Sequence, residues 1–270
     1  MPREDAERDW SSIARLEQIT SAHGRELPSC YDLTSIVVGG GLRYRSPFRY
    51  AERTFWNLRS RGLLPERFLK GGRGVIHVGA NTGQERFIYA SYGLKVAWVE
   101  PIPDVFKELQ ANLTGLPDQT AYNCLIAAQD GMKYQFHVSS NEGSSSSILE
   151  PNKQLDGHWD RVGFPYSIEM EALSLPTFIR KNGIDLASFD ILSLDTQGTE
   201  LLILEGAKAI LSNFRYIQCE AVNFEVYSGC CQLPELHAFL SKQGFKQKGR
   251  FVLSRSANRG RQWDVLYERA

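Results

Sequence analysis

The 270-residue chain has no net charge, since 31 Lys and Arg are matched by 31 Asp and Glu. No overall field draws it to nucleic acid or to an anionic membrane, and no nucleic-acid partner is expected. No apolar run approaches the ~18 residues of a membrane span. Residues 1–20 mix charges with scattered apolar side chains and lack the unbroken apolar stretch of a secretory signal. Cysteine is sparse: Cys30, Cys124, Cys219, Cys230 and Cys231 are odd in number, and none has the Cys-x-x-Cys spacing of a zinc knuckle or redox motif. A reduced, cytoplasmic setting is expected, with Cys230-Cys231 a buried pair and not a redox site. What is present, 42% hydrophobic and 23% charged residues, suits one large domain or one domain with an extension.

Residues 1–73 read as a helical extension, with Trp10, Ile13, Leu16 and Ile19 at near-helical spacing and an Arg- and aromatic-rich stretch around Tyr44, Phe48, Phe55 and Trp56. Lys70 to Gly74 is a turn leading into the main domain, 74–270. There strand and helix signals alternate, as in a parallel sheet covered on both faces. Expected strands are Val75–Val78, Val96–Glu100, Ala121–Ala127, Ile191–Asp195 and Tyr216–Glu220, and expected helices Glu85–Tyr92, Asp104–Leu113, Glu200–Leu211 and Leu233–Gln243. Phe251–Leu253 and Val265–Tyr267 read as a terminal hairpin around a basic turn. An insertion at 131–175 holds a strand-like run, Tyr134–Val138, and the polar loop Ser139–Ser147; such loops are where specificity usually resides.

Val75 to Glu85 is an apolar strand running through a glycine turn into a helix. Gly79 and Gly83 let the backbone turn tightly and approach a ligand, and the helix start offers unpaired N–H groups. The next strand ends in Glu100, where an acidic side chain accepts hydrogen bonds from ribose hydroxyls. The dinucleotide fingerprint needs G-x-G-x-x-G so that the backbone can approach a pyrophosphate, and here Asn81 replaces its second glycine. A cofactor without pyrophosphate is favoured over a nicotinamide dinucleotide.

These residues resemble the FkbM family of S-adenosylmethionine-dependent methyltransferases, over roughly Gly74 to Glu268. The similarity is carried by Val78-Gly79-Ala80-Asn81-Thr82-Gly83-Gln84-Glu85, Val99-Glu100-Pro101, Ser145-Ser146-Ser147-Ile148-Leu149, Leu173-Ser174-Leu175, Asp190 to Glu200 and Tyr227-Ser228-Gly229. The resemblance implies a Rossmann-like class I fold: a mostly parallel seven-stranded sheet, helices on both faces and an antiparallel terminal strand. It implies methyl transfer, usually to an oxygen. The donor would be held by His77, Gly79, Ala80, Asn81, Thr82, Gly83, Glu85, Glu100, Pro101, Ala127 and Asp195. The family commonly has Asp where this chain has His77, and Lys where it has Ser193.

Methyl transfer to an alcohol requires alignment of the oxygen and removal of its proton. Asp195, ending the fourth core strand, is the first candidate for base or substrate orienter; Glu200 and Glu220 are expected on the same edge, where three carboxylates would suit either catalysis or a divalent cation. Glu200 alternatively stabilises its helix start. His158 is a further candidate base. The acceptor is expected to be a sugar or glycan hydroxyl, met by the polar insertion and by Trp159, Phe164, Tyr166 and Tyr227. A secondary metabolite is the alternative acceptor, and a nicotinamide oxidoreductase or an inactive cofactor-binding homologue the alternative class.

Overall fold

The computed structural model describes residues 68–155, 157–256 and 260–270, without the side chains of 254–256. The N-terminal extension up to residue 67, its aromatic stretch and Cys30 lie outside the described residues. The elements run β1 (Gly74–Val78), α1 (Arg86–Ser91), β2 (Lys95–Glu100), α2 (Pro103–Asn112), β3 (Gln119–Asn123), β4 (Leu125–Ile126), β5 (Lys133–Val138) and β6 (Tyr166–Leu173). Then follow α3 (Leu175–Lys181), β7 (Ile191–Leu194), α4 (Glu200–Gly206), β8 (Tyr216–Val222), α5 (Leu233–Lys242), β9 (Phe245–Ser256) and β10 (Gly260–Arg269). Among the described residues no helix is long and apolar enough to cross a membrane.

Seven strands form one sheet in the order β3-β2-β1-β7-β8-β10-β9, with β10 antiparallel to both its neighbours and the other strands parallel. This order and the single reversed strand define the class I methyltransferase fold. The middle strands are buried on both faces, which explains why their apolar runs are nearly continuous and not alternating. Ile76, Val99, Leu192 and Ile217 pack under Phe178 of α3, Ile203 of α4 and Leu236 of α5. Val75, Val96 and Trp98 pack against Tyr89 of α1 and Leu109 of α2 on the other side. Two helices of the first layer, α3 and α5, are anchored at their starts: Ser174 Oγ accepts from Thr177 N–H, and the Glu235 carboxylate accepts from Gln232 N–H.

The insertion is more ordered than the sequence suggests. β5 pairs antiparallel with β6, a strand whose alternating pattern was not anticipated, and β6 pairs in parallel with β4. The expected third strand, Ala121–Ala127, is two strands in different sheets. Asn123 Nδ2 donates to the carbonyls of Glu100 and Pro101 at the sheet edge, after which the chain leaves for the smaller sheet. The helix expected to reach Leu211 stops at Gly206, where an added Cβ would lie 2.5 Å from the Ala128 carbonyl oxygen. The hairpin strands β9 and β10 are far longer than expected, with two register irregularities between them.

Candidate active site

The sheet register itself assembles the site. His77 pairs with Trp98 and Ser193, and Ser193 with Gln218. Two residues further on, Glu100, Gly79, Asp195 and Glu220 therefore reach one level on one face, since strand side chains alternate. Asp264 of β10 stands opposite Glu220. A cavity of about 430 Å³ opens along this edge, with Glu85, Glu100, Asp195, Glu220 and Asp264 on its walls. No Lys or Arg is found among the described residues that line it.

At one end the chain turns from β1 into α1. Gly79 has φ +83°, and a Cβ there would overlap the Asp195 carbonyl oxygen, so the ends of β1 and β7 touch through this glycine. Asn81, at φ +45°, uses Oδ1 to accept from Thr82 N–H and Gln84 Nε2, and Nδ2 to donate to the Glu142 carbonyl. The polar loop is thereby tied to the glycine turn. Glu100, 4% exposed, accepts Asn81 N–H on Oε2 at 2.9 Å and Ile102 N–H on Oε1 at 2.8 Å. Each oxygen keeps further acceptor capacity toward the cavity, the arrangement a ribose diol requires. Burial pushes this carboxyl, and that of Glu85, up to about 7.

His77, in place of the family's Asp, stacks 4.8 Å from Trp98 and meets the Tyr89 hydroxyl at 3.1 Å through Nδ1. Burial lowers its pKa to about 3, so it lines the cavity as a neutral ring. Pro101 also lines the cavity, but Ala80, Thr82, Gly83 and Ala127 do not. Ala80 and Ala127 are core residues, and Gly83 faces Leu109. Cys124, Leu125 and Ile126 supply the wall expected from Ala127.

Past Gly79 the carboxyls are linked by amides. Gln197 Nε2 donates to Asp195 Oδ1 and to Glu220 Oε2, both at 2.7 Å, and the Gln262 amide donates to Glu220 Oε1. The Tyr227 hydroxyl is shared between the Ser145 carbonyl and Gln197 Oε1. Asp195 and Glu220 share the Gln197 amide; burial raises both, and the charge on Asp195 raises Glu220 further, well above an ordinary carboxylate. Of the two, Glu220 is held the higher.

Glu200 does not join them. Its Oε1 turns back to accept from the N–H groups of Thr196 and Gly198 at the start of α4, so the expected three-carboxylate cation site is not assembled. Among the described residues no three His, Cys, Asp or Glu side chains are placed to hold a metal ion. His158 lies edge-on to Trp159 and Phe224, away from the cavity lining. Trp159, Phe164 and Tyr227 pack with Val222 and Val226 into a core of their own, and Tyr166 is exposed, so these aromatics do not form the expected acceptor wall. They are apolar surface that the insertion itself must bury. The structure adds Gln197, Phe251, Leu253, Gln262 and Asp264 to the site. Of these, Gln197 stood within the Asp190 to Glu200 block, and Asp264 was a lone carboxylate in the apolar run Trp263–Tyr267.

The fold and this edge define a class I, S-adenosylmethionine-dependent methyltransferase. A family model, the methyltransferase FkbM domain, matches residues 77–246, and the chain belongs to that family. It is 27% identical over 169 residues, 59% of its own length and 67% of the relative's, to the 2-O-methyltransferase NoeI of Sinorhizobium fredii. Distant structural likenesses include fibrillarin of Aeropyrum pernix with bound S-adenosyl-L-methionine, at 12% identity and TM-score 0.46 over 83% of this chain and 80% of that one. Another is magnesium protoporphyrin IX methyltransferase of Synechocystis PCC 6803 with bound SAH, at 11% identity and TM-score 0.45 over 97% and 100%. Membership of this family sets aside the nicotinamide oxidoreductase alternative.

Proposed function

We propose that this enzyme transfers a methyl group to a sugar or glycan hydroxyl, with Asp195 as the general base. The observation that carries the reading is the Asp195–Glu220 pair, both carboxyls held by the one Gln197 amide on the cavity wall. The name of the Sinorhizobium fredii relative, a 2-O-methyltransferase, supports an oxygen acceptor.

The donor's ribose hydroxyls fit Glu100, and its methionine part fits the turn from Gly79 to Asn81 and the wall formed by His77 and Glu85. When bound, S-adenosylmethionine supplies a methyl group on a positively charged sulfur, and the acidic lining suits that charge. Asp195 has Oδ1 occupied by the Gln197 amide, leaving Oδ2 to accept the proton of an acceptor hydroxyl. As the oxygen–carbon bond forms, the sulfur–carbon bond breaks and its electron pair stays on sulfur; the proton passes to Asp195. Glu220, held by the Gln197 and Gln262 amides beside Asp195, orients the acceptor oxygen.

The test is release of S-adenosylhomocysteine with neutral glycans, phenols and polyketide alcohols as acceptors, for wild type and Asp195→Asn. Methylation of glycans is expected, with turnover by Asp195→Asn lower by about two to four orders of magnitude and S-adenosylhomocysteine affinity nearly unchanged. Methylation confined to phenolic or polyketide acceptors refutes the substrate class. Near-normal turnover by the variant removes Asp195 as base.

A further inference from the structure

We infer that Tyr227, in the loop after β8 and outside the cavity lining, is a positioning residue for the transfer: its hydroxyl holds the Gln197 amide so that N–H groups, and not the amide oxygen, face Asp195 and Glu220. The inference rests on the reading of Asp195 as base and names what keeps that carboxyl poised.

A primary amide is nearly symmetric in shape but not in chemistry, with two donors on one arm and an acceptor on the other. Gln197 Nε2 gives its two N–H groups to Asp195 Oδ1 and Glu220 Oε2, each at 2.7 Å, and Oε1 faces the Tyr227 hydroxyl at 3.2 Å. Turned over, the amide would set its oxygen against two carboxyl oxygens and oppose ionisation of the base, whereas N–H groups there favour the ionised form. The phenol selects between the two orientations because it has a proton to give. Its other contact, the Ser145 carbonyl at 2.8 Å, is also an acceptor, so the hydroxyl stands as donor to both. Burial, with the charges of Glu220 and Asp195 added, holds the phenol well above its ordinary value, and it keeps this proton across the working pH range.

The hydroxyl is placed independently of Gln197. Tyr227 is 3% exposed and its ring stands 5.3 Å from that of Trp159. The backbone on both sides of it is tied to the insertion: Ser228 N–H donates to the Glu150 carbonyl at 2.8 Å, and Asn152 N–H to the Val226 carbonyl at 3.0 Å. Gly198 leaves the ring its room, since a Cβ there would lie 3.4 Å from Tyr227 Cδ2. The aromatic core of the insertion, although remote from the acceptor, thus reaches the reacting edge through this hydroxyl.

The experiment compares Tyr227→Phe, which removes the hydroxyl and keeps the ring, with Gln197→Leu and the double variant in the full chain. Turnover is followed against pH with whichever acceptor of the panel above reacts fastest. The Gln197 side-chain amide is followed by 15N NMR without acceptor, its signal identified by its absence in Gln197→Leu. The other carboxyls that interact with the charge on Asp195 are Glu85 before α1, Glu100 of β2, Glu200 of α4, Glu220 of β8 and Asp264 of β10, and none is replaced. Tyr227→Phe should shift the amide signal and lower kcat roughly threefold to tenfold, the loss of one neutral hydrogen bond. The acid limb of kcat/KM should move up by about half to one pH unit, with S-adenosylhomocysteine affinity unchanged. In the Gln197→Leu background the same substitution should change kcat less than about twofold, because no amide is left to orient. An unmoved amide signal or acid limb overturns the inference. So does full additivity in the double variant, which would route the hydroxyl's effect through Ser145, and so does loss of S-adenosylhomocysteine affinity in Tyr227→Phe, which would make the hydroxyl a support of the fold. A shifted amide signal together with near-normal turnover by Asp195→Asn would remove the base and leave the hold on Gln197 standing. An unshifted signal with an inactive Asp195→Asn would do the reverse.

Discussion

Gly79→Ala and Gly71→Ala are the same chemical change at nearly the same backbone angle, φ +83° and +77°, in different surroundings. Around Gly71 an added Cβ meets nothing within 4 Å, whereas at Gly79 it lies 2.7 Å from the Asp195 carbonyl carbon and closer still to its oxygen. Left-handed backbone strain for a residue with a Cβ is about 1–2 kcal/mol and applies to both. At Gly79 it is joined by overpacking of about 1–3 kcal/mol, because the clash is with backbone that no rotamer change can relieve. The β1 and β7 ends must separate, although Asp195 N–H is hydrogen-bonded to the Val78 carbonyl at 3.0 Å. For a domain of this size each kcal/mol lowers Tm by roughly 2–4 °C. Gly71→Ala should therefore lose a few degrees and keep its response to S-adenosylhomocysteine, whereas Gly79→Ala should lose about 10 °C and most of that response. Thermal shift with and without the ligand measures both. Equal destabilisation by the two variants, or a normal ligand response in Gly79→Ala, would refute the argument that this glycine is required by the contact between two strand ends.

Two further outcomes concern the carboxyls. Gln197→Leu removes an amide that favours the charged form of Asp195, so the acid limb of the kcat/KM profile should move up by about one pH unit, with S-adenosylhomocysteine affinity retained; an unmoved limb would mean that Gln197 only packs. Glu85, Glu100 and Glu200 stand at about 7 and Asp264 at about 8, all above their unfolded values. The folded chain therefore binds more protons than the unfolded one, and this stabilisation, full below about pH 4, is lost as pH rises through 7 to 8. His77, lowered to about 3, acts oppositely but only below its unfolded value of 6.5. Ligand-free Tm should thus fall between pH 6.5 and 8.5, and a rise across that interval would contradict the carboxyl assignments.

Sequence made the donor half of the site legible because its signals are local. An apolar strand, a glycine turn and an acidic strand end follow one another within a single βαβ unit, and Gly79, Asn81 and Glu100 line the cavity as that order implies. Cues that depended on pairing partners were missed or mislocated. β6 alternates as a strand with one exposed face should, but its partner β5 lies beyond a polar loop. Ser174 before Leu-Pro-Thr marked the start of α3 and was absorbed into a motif block. The aromatics of the insertion were expected at the acceptor, yet Trp159 and Phe164 answer to the burial needs of their own loop. Asp264 and Gln262 reach the site only because β10 runs antiparallel beside β8, a relation that no local pattern carries. Gln197 was visible within the Asp195–Glu200 block, but its role follows from a backbone at φ +55° that turns its amide between two carboxyls.

That backbone also explains why Asp195 and not Glu200 is proposed as the base, although both belong to one short motif. A left-handed conformation at Gln197, followed by Gly198 at φ +98°, folds the loop so that its N–H groups converge inward on Glu200 while the Gln197 side chain projects along the sheet edge. Glu200 is then an internal tie, 3% exposed, with one oxygen holding two backbone donors. Asp195, at the strand end, receives a side-chain amide on one oxygen and lines the cavity. Ser147 secures the arrangement from the insertion by donating its hydroxyl to the Gln197 carbonyl at 2.9 Å. The polar serine loop thus contributes to the site by bracing the loop that turns Glu200 inward and leaves Asp195 on the cavity wall.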